Sequence, residues 1–149
     1  MPMLTSDHRV EVLANAPLFG GFSHRDLRKV AKQAEEIQVH AGDHLCEEGE
    51  HGEWCFILVD VGAKVSVAGQ SVATLAPGEI CGELSLLDGG PRAATVTVDG
   101  DGSVLIVSRS AFLELLEAVP SLVSVVLASF GERLRTANAV STGSFLTGG

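Results

Sequence analysis

One acid and one arginine stand near the two ends of a short, glycine-containing and mostly apolar segment, residues 82–95. The acid is Glu83 and the arginine is Arg92. Between residues 40 and 100 only Lys64 and Arg92 are basic, apart from histidines. A guanidinium matches two phosphate oxygens, and a carboxylate accepts hydrogen bonds from sugar hydroxyls. The pair therefore suits a ligand that carries both a phosphate and a ribose.

The residues between this acid and this arginine favour a close approach of backbone to ligand. Gly82 has no side chain, and residues 83–87 suit one helical turn whose first N–H groups attract phosphate. Ser85 has no evident base to activate it, so we interpret its hydroxyl as a hydrogen-bond donor and not as a nucleophile. The simpler alternative is that Glu83 and Arg92 form an ordinary ion pair with each other.

The segment resembles the phosphate-binding cassette of cyclic-nucleotide-binding domains. Those domains carry Gly-Glu-Leu near its start and Pro-Arg-Ala-Ala-Thr near its end, and here these runs are residues 82–84 and 91–95. The resemblance extends from about Leu18 to about Asn138. It implies a sensor domain like those of catabolite activators and protein kinase A regulatory subunits, and it covers no DNA-binding or catalytic module. We therefore expect a sensor module whose output is carried by a partner, by self-association or by other parts of a longer protein.

The resemblance also implies roles for individual residues. Glu83 would hold the ribose 2′-hydroxyl and Arg92 the cyclic phosphate, with backbone N–H groups completing the anion site. Ala93 has no hydroxyl with which to bond guanine, which favours cAMP over cGMP. The predicted ligand-binding residues are Gly82, Glu83, Leu84, Ser85, Arg92, Ala93, Ala94, Val65 and Thr136. Val65 matches a strand position that packs on the base, and Thr136 lies near the position of adenine-binding hydroxyls in the last long helix.

The length and composition of the chain narrow the classes of protein and partner that we expect. The chain has 149 residues, one domain's length, and a net charge of -9, which disfavours nucleic acid and anionic membrane surfaces as partners. The three cysteines, Cys46, Cys55 and Cys81, lack metal-ligand or redox spacing and are expected to be reduced and mostly buried. We expect no secretory signal, because residues 1–8 have no basic run followed by an apolar stretch, and no membrane span, because no apolar run approaches the needed length. We therefore expect a cytoplasmic protein.

The elements that must position the site follow the order helix, barrel, helix. A short helix over 7–15 belongs to an N-terminal extension, residues 1–17, and Ser23 is predicted to cap a helix over 24–34. From about 36 to 107 short strands broken by glycines predict an antiparallel β jelly-roll barrel, so the fold class is mainly β with flanking helices. The clearest strand predictions are 54–59, 64–68, 72–75, 94–98 and 104–107.

Two helices are predicted to close the domain, which we assign to residues 18–139. Ser108 is expected to cap the first, residues 109–118, and Pro120 to precede the second, about 121–138. The second helix is apolar on more than one side, with Val123 and Leu127 on a different face from its broad apolar one. That pattern suits either simple burial or a homodimer through this helix. Residues 140–149 are expected to form a flexible tail.

We expect a non-catalytic sensor that binds a cyclic nucleotide, moves its C-terminal helix in response and acts through an unknown protein effector. Phosphate would draw Arg92 and the helical turn inward, so that Leu86 or Leu87 repacks. One alternative is a degenerate domain that serves as an interaction scaffold. Another is a metal-dependent cupin-like enzyme that uses His40, His44 and His51, but the His-x-His spacing of cupins is absent and solvated loop histidines fit better. No metal or cofactor is predicted.

Overall fold

The computed structural model describes residues 6–16, 19–128 and 131. It begins with two helices, α1 (Ser6–Asn15) and α2 (His24–Gln33), which pack on one another. The predicted cap of α2 is confirmed, because the Asp26 amide donates to the Ser23 hydroxyl at 3.1 Å. Such a cap satisfies one of the unpaired N–H groups of the first turn and fixes where the helix begins.

In the part of the chain that the structure describes, eight strands form two four-stranded antiparallel sheets, as the glycine-broken pattern predicts. The first sheet has the order β1-β8-β3-β6 and the second β2-β7-β4-β5. A short helix, α3, interrupts the strands between β6 and β7. The bounds are β1 Glu35–Val39, β2 His44–Cys46, β3 Trp54–Leu58, β4 Ala63–Val67, β5 Gln70–Leu75, β6 Ile80–Cys81, α3 Glu83–Asp88, β7 Thr95–Val98 and β8 Gly102–Ser108.

Two apolar cores hold these layers together. One contains residues of both sheets, among them Leu58, Val96 and Val104, and fills the interior of the barrel. The other joins β3 and β8 to the helices and includes Leu86 of α3. Side chains alternate along a strand, so β3 sends Cys55 into the helix-side core and Phe56 into the barrel core. Strand β3 is thereby fixed from both sides.

Two helices follow the last strand. Helix α4 (Arg109–Ala118) starts at the predicted cap, where the Ala111 amide donates to the Ser108 hydroxyl at 3.2 Å. Helix α5 (Pro120–Ala128) turns away from α4 by 115°. Its broad apolar face is buried, whereas Val123 and Leu127 are 42% and 65% exposed. The remainder of the helix predicted to reach residue 138 lies outside the described residues.

The strand predictions differ from the structure at the shortest elements. Strands β1, β2 and β6 have five, three and two residues and were not among the clearest predictions. A run of two or three residues is too short to show an alternating pattern, so only pairing with β7 and β3 defines β2 and β6. Strand β1 is long enough, but it buries the polar Glu36, so its residue types do not follow its burial and its pairing with β8 defines it. His44, expected in a loop, is the first residue of β2. The loop prediction for that histidine is therefore wrong.

No single helix among the residues described is both long enough and apolar enough to cross a membrane, although the bent pair α4–α5 meets that test by length and composition.

Candidate ligand-binding site

The backbone of Arg92 is held against the loop between β2 and β3. The Arg92 amide donates to the Glu50 carbonyl at 2.7 Å, and the Gly49 amide donates to the Arg92 carbonyl at 2.9 Å. His51 and Pro91 form an isolated antiparallel bridge beside them. These contacts act as a short ladder ahead of β7. The arginine therefore starts from a fixed backbone position although no strand contains it.

The guanidinium of Arg92 is turned inward, and the residue is only 6% exposed. Nη1 donates to the Gly82 carbonyl at 2.8 Å and to the Ser85 hydroxyl at 2.6 Å, and Nη2 donates to the Trp54 carbonyl at 2.6 Å. All three acceptors are neutral oxygens. A buried cation supplied with neutral acceptors still carries its full charge, so it favours an anion nearby.

Two glycines make room for this guanidinium. A Cβ built on Gly52 would collide with the Cζ, Nε and Nη2 atoms of Arg92, so the group lies directly against that glycine. Gly82 has a left-handed backbone, with φ +85°, and a Cβ there would lie 2.7 Å from Nη1. The left-handed conformation is unfavourable for any residue with a side chain. Glycine at both positions is therefore required by geometry.

Glu83, the first residue of α3, is completely buried. Its charge reaches the neighbouring Cys55 on β3: burial raises the pKa of that thiol far above its usual value, and the Glu83 carboxylate raises it further. The positive charge of Arg92 acts on the same thiol in the opposite direction. Glu83 and Arg92 thus both lie near one point on β3.

Only some of the other predicted ligand-binding residues lie beside the Arg92 guanidinium. Gly82 and Ser85 contact the guanidinium directly, while Leu84 is half-buried and Ala93 is exposed. Ala94 immediately precedes β7. Val65 lies on β4 opposite Val96 of β7, packed against the barrel core. Thr136 lies outside the described residues.

Sequence reasoning missed the residues that hold Arg92 from the far side. Glu50 and Trp54 contribute backbone carbonyls, which any residue type could supply, so the sequence offers no signal for them. Gly52 did offer one, because glycines recur in this loop at 49 and 52. The sequence pattern predicts only that these glycines form turns. It does not indicate that one of them leaves room for a side chain distant in sequence.

The neighbouring histidines and acids are arranged differently. Exposed His44 and Glu47 contact one another at 3.0 Å through Nδ1 and Oε1, which lowers the pKa of the Glu47 carboxyl. The carboxyl of Glu50 donates a hydrogen bond to Glu47 when it is protonated, and this raises the pKa of Glu50. Within residues 6–16, 19–128 and 131, no group of three or more histidine, cysteine or acidic side chains is placed to hold a metal. All three cysteines are buried and none of them forms a disulfide, as expected.

An open groove of about 320 Å³ lies where β3, the end of β8 and α4 meet. Half-exposed Trp54 and Leu113 form its apolar part, and Arg109 lies at the start of α4 beside them. Trp54 belongs both to this groove and to the Arg92 site, whereas the Arg92 guanidinium does not line the groove. It is lined by Glu53, Trp54, Ser108, Arg109, Ser110 and Leu113.

The family described as cyclic nucleotide-binding domain matches residues 36–119, which is more than half of the chain. The chain belongs to this family, and both the predicted family and the predicted fold class are confirmed. The matched range contains both sheets, α3, Arg92 and α4. A buried arginine beside a buried glutamate is thus found in a domain family named for binding a nucleotide.

Similar proteins carry this domain as one part of a longer chain. An uncharacterised NTE family protein of Mycobacterium bovis is 32% identical over 132 residues, which is 87% of this chain and 22% of that protein. The solved structure of cAMP-bound PfPKA-R has a TM-score of 0.82 at 25% identity, covering 91% of this chain and 47% of that one. The Thermus thermophilus catabolite activator protein has a TM-score of 0.75 at 26% identity, covering 87% and 63%.

Proposed function

We propose that this domain is a non-catalytic sensor that binds a cyclic nucleotide and prefers cAMP. The observation that carries the proposal is the 6%-exposed Arg92 guanidinium, whose charge is met by three neutral oxygens. An anionic phosphodiester supplies the opposite charge and two oxygens for the planar fork. A cytoplasmic location accords with this role and stays a prediction.

Each cassette residue receives a role in this proposal. Arg92 binds the exocyclic phosphate oxygens, and Glu83 accepts a hydrogen bond from the ribose 2′-hydroxyl. Backbone N–H groups of residues 84, 85 and 93 donate to the phosphate. The left-handed turn at Gly82 aims the start of α3 toward the same point. Sugar and phosphate are then bound by residues of one segment, 82–93.

The preference for cAMP rests on the residue after the arginine. Ala93 is exposed and has no hydroxyl, so it offers guanine no hydrogen bond. A structure of similar fold, PfPKA-R, is described with cAMP bound. Val65 on β4 would pack against the base, and Thr136 would bond adenine from the last helix. cGMP is therefore expected to bind less tightly.

The response is proposed to pass through α3 to the C-terminal helices. Leu86 of α3 is buried in the same core as α4 and α5, so a movement of α3 must repack that core. Since Arg92 is already turned inward, the ligand would act by shifting α3 and not by drawing the arginine in. A ligand shifts such an equilibrium only by its different affinity for the two states. The output would be a protein effector or a homodimer formed through Val123 and Leu127 of α5.

The decisive experiment is titration calorimetry of cAMP and cGMP against the parent chain and Arg92→Ala. Losing two charge-assisted hydrogen bonds is expected to weaken cAMP binding by about a hundredfold. Arg28→Ala, an exposed arginine on α2, is the matched control and is expected to bind as the parent does. Unchanged cAMP affinity in Arg92→Ala would rule out the assignment. Absence of binding to the parent would favour the interaction-scaffold alternative.

A further inference from the structure

Ser85 contributes the one side-chain oxygen among the three acceptors of the Arg92 guanidinium described above. It is the third residue of α3 and is 9% exposed. Its hydroxyl oxygen accepts from Nη1 at 2.6 Å, and its hydrogen is donated to the Gly82 carbonyl at 3.3 Å. Gly82 and Trp54 act through carbonyls that every sequence has. Ser85 is therefore the acceptor that a substitution can remove.

The three bonds determine which edge of the guanidinium is available. Nη1 has two hydrogens, and these go to the Gly82 carbonyl and to Ser85. One hydrogen of Nη2 goes to the Trp54 carbonyl. The remaining two of the five N–H hydrogens are on Nε and Nη2, the two atoms that form one edge of the planar group and lie against Gly52. That edge forms a fork of the spacing that two phosphate oxygens, or one shared oxygen, require.

We infer that the Ser85 hydroxyl is a positioning group that sets the rotation of the Arg92 guanidinium and thereby selects which exocyclic phosphate oxygen the arginine binds. The inference rests on the proposed cyclic nucleotide binding and adds a determinant of its stereochemistry. Without this acceptor, one Nη1 hydrogen loses its buried partner and the fork turns about the remaining bonds. The arginine then meets the two phosphate oxygens with less discrimination.

The Ser85 hydroxyl also supports helix α3, and this second role must be distinguished from positioning of the arginine. Serines in helices commonly bond a carbonyl three or four residues earlier, and Ser85 does so with Gly82. That bond concerns only the helix, and its loss would weaken both phosphate contacts equally. The bond to Nη1 is shorter by 0.7 Å, from 3.3 to 2.6 Å, and involves a charged donor. Stereochemical discrimination therefore distinguishes positioning of the arginine from support of the helix.

The test measures Ser85→Ala by titration calorimetry with cAMP and with the two phosphorothioate diastereomers of cAMP. Each diastereomer replaces one exocyclic oxygen by sulfur, a poorer hydrogen-bond acceptor. We expect cAMP to bind about tenfold more weakly and the ratio of the two diastereomer affinities to fall towards one. Ser85→Thr, which keeps a hydroxyl, is expected to retain the parent ratio. Ser71→Ala, an exposed serine on β5, serves as the control.

The outcomes separate this inference from the proposed function. A parent chain that binds none of the three compounds overturns the proposed function, and the inference with it. A parent that discriminates, together with a Ser85→Ala variant of unchanged ratio, overturns the inference alone. Should Ser85→Ala not fold, the near-isosteric Ser85→Cys is measured in its place, because its thiol is only a weak acceptor. The same fall in ratio is then expected, and an unchanged ratio overturns the inference.

Discussion

Two charged regions of this domain contact one another, but the charged side chains are buried in one and exposed in the other. The Arg92 site and the segment 44–50 meet where the Arg92 amide bonds the Glu50 carbonyl. In the site, the side chains of Glu83 and Arg92 are buried and held by the fold. In the segment, the side chains of His44 and Glu47 are exposed and contact each other across three residues of sequence.

The difference shows what turns charged residues into a binding site. Exposed ion pairs are solvated and contribute little, because water screens each charge and both side chains lose freedom. Burial with neutral acceptors removes that screening and leaves the charge of Arg92 strong and directed. We therefore expect changes that alter the burial of Arg92 to have large effects on ligand affinity, and changes to the exposed pair to have small ones.

The largest effect is expected from Gly52→Ala, which would break the burial of the guanidinium without altering any charge. The added methyl group would collide with Cζ, Nε and Nη2 of Arg92, so the guanidinium must shift from its site. We expect cAMP affinity to fall by about a hundredfold, as for loss of the arginine itself. Gly100→Ala, where nothing lies within 4 Å of the added Cβ, is the matched control. Parent-like affinity of Gly52→Ala in calorimetry would contradict the observed packing.

A smaller effect is expected from Gly82→Ala. The φ of +85° costs a residue with a side chain about 1–2 kcal/mol, and its Cβ would press on Nη1. We expect cAMP binding to weaken by about tenfold and thermal stability to fall. Gly42→Ala has the same kind of strain, with φ +95°, but open space around it. It should lose stability and keep the parent affinity; equal affinity losses in both variants would mean that strain alone is responsible.

The smallest effect is expected from Glu47→Gln, which breaks the exposed pair. The lowered pKa of Glu47 stabilises the fold above the ordinary pKa of a glutamate, and this is lost as pH falls through the folded value. The raised pKa of Glu50 acts oppositely: its contribution is present at low pH and is lost as pH rises through the folded value. Glu47→Gln removes both contributions.

These two contributions partly cancel and both groups are solvated. We therefore expect the melting temperature of Glu47→Gln to follow that of the parent between pH 3 and pH 7, roughly the range over which glutamates titrate. At neutral pH its cAMP affinity should be unchanged in calorimetry. A clear loss of affinity would show that the exposed segment belongs to the site and would remove the contrast drawn above.

Much of the fold could be predicted because its signals are local. Ser23 and Ser108 cap the helices that they were predicted to cap, since a cap depends on a hydroxyl and an amide three residues apart. The predictions for β3, β4, β5, β7 and β8 overlap the observed strands, because runs of four to seven residues are long enough to show alternation. Strand β1 is equally long but buries Glu36, which hides its alternation. The two-residue strand β6 shows none, so it exists only through its pairing with Phe56 and Ile57 of β3.

The sequence by itself determined which chemical groups this site contains: one carboxylate, one guanidinium, one serine hydroxyl and the glycine that begins their helix. Residue type and spacing along one segment are sufficient for that, because these residues are near neighbours in the chain. Only the tertiary structure decided that the guanidinium is buried against Gly52 and aimed by the Trp54 carbonyl. Arg92 is 38 residues from Trp54 in the chain. Backbone carbonyls are alike in every residue, so the meeting of Arg92 with residues 52 and 54 depends on how the two sheets close the barrel.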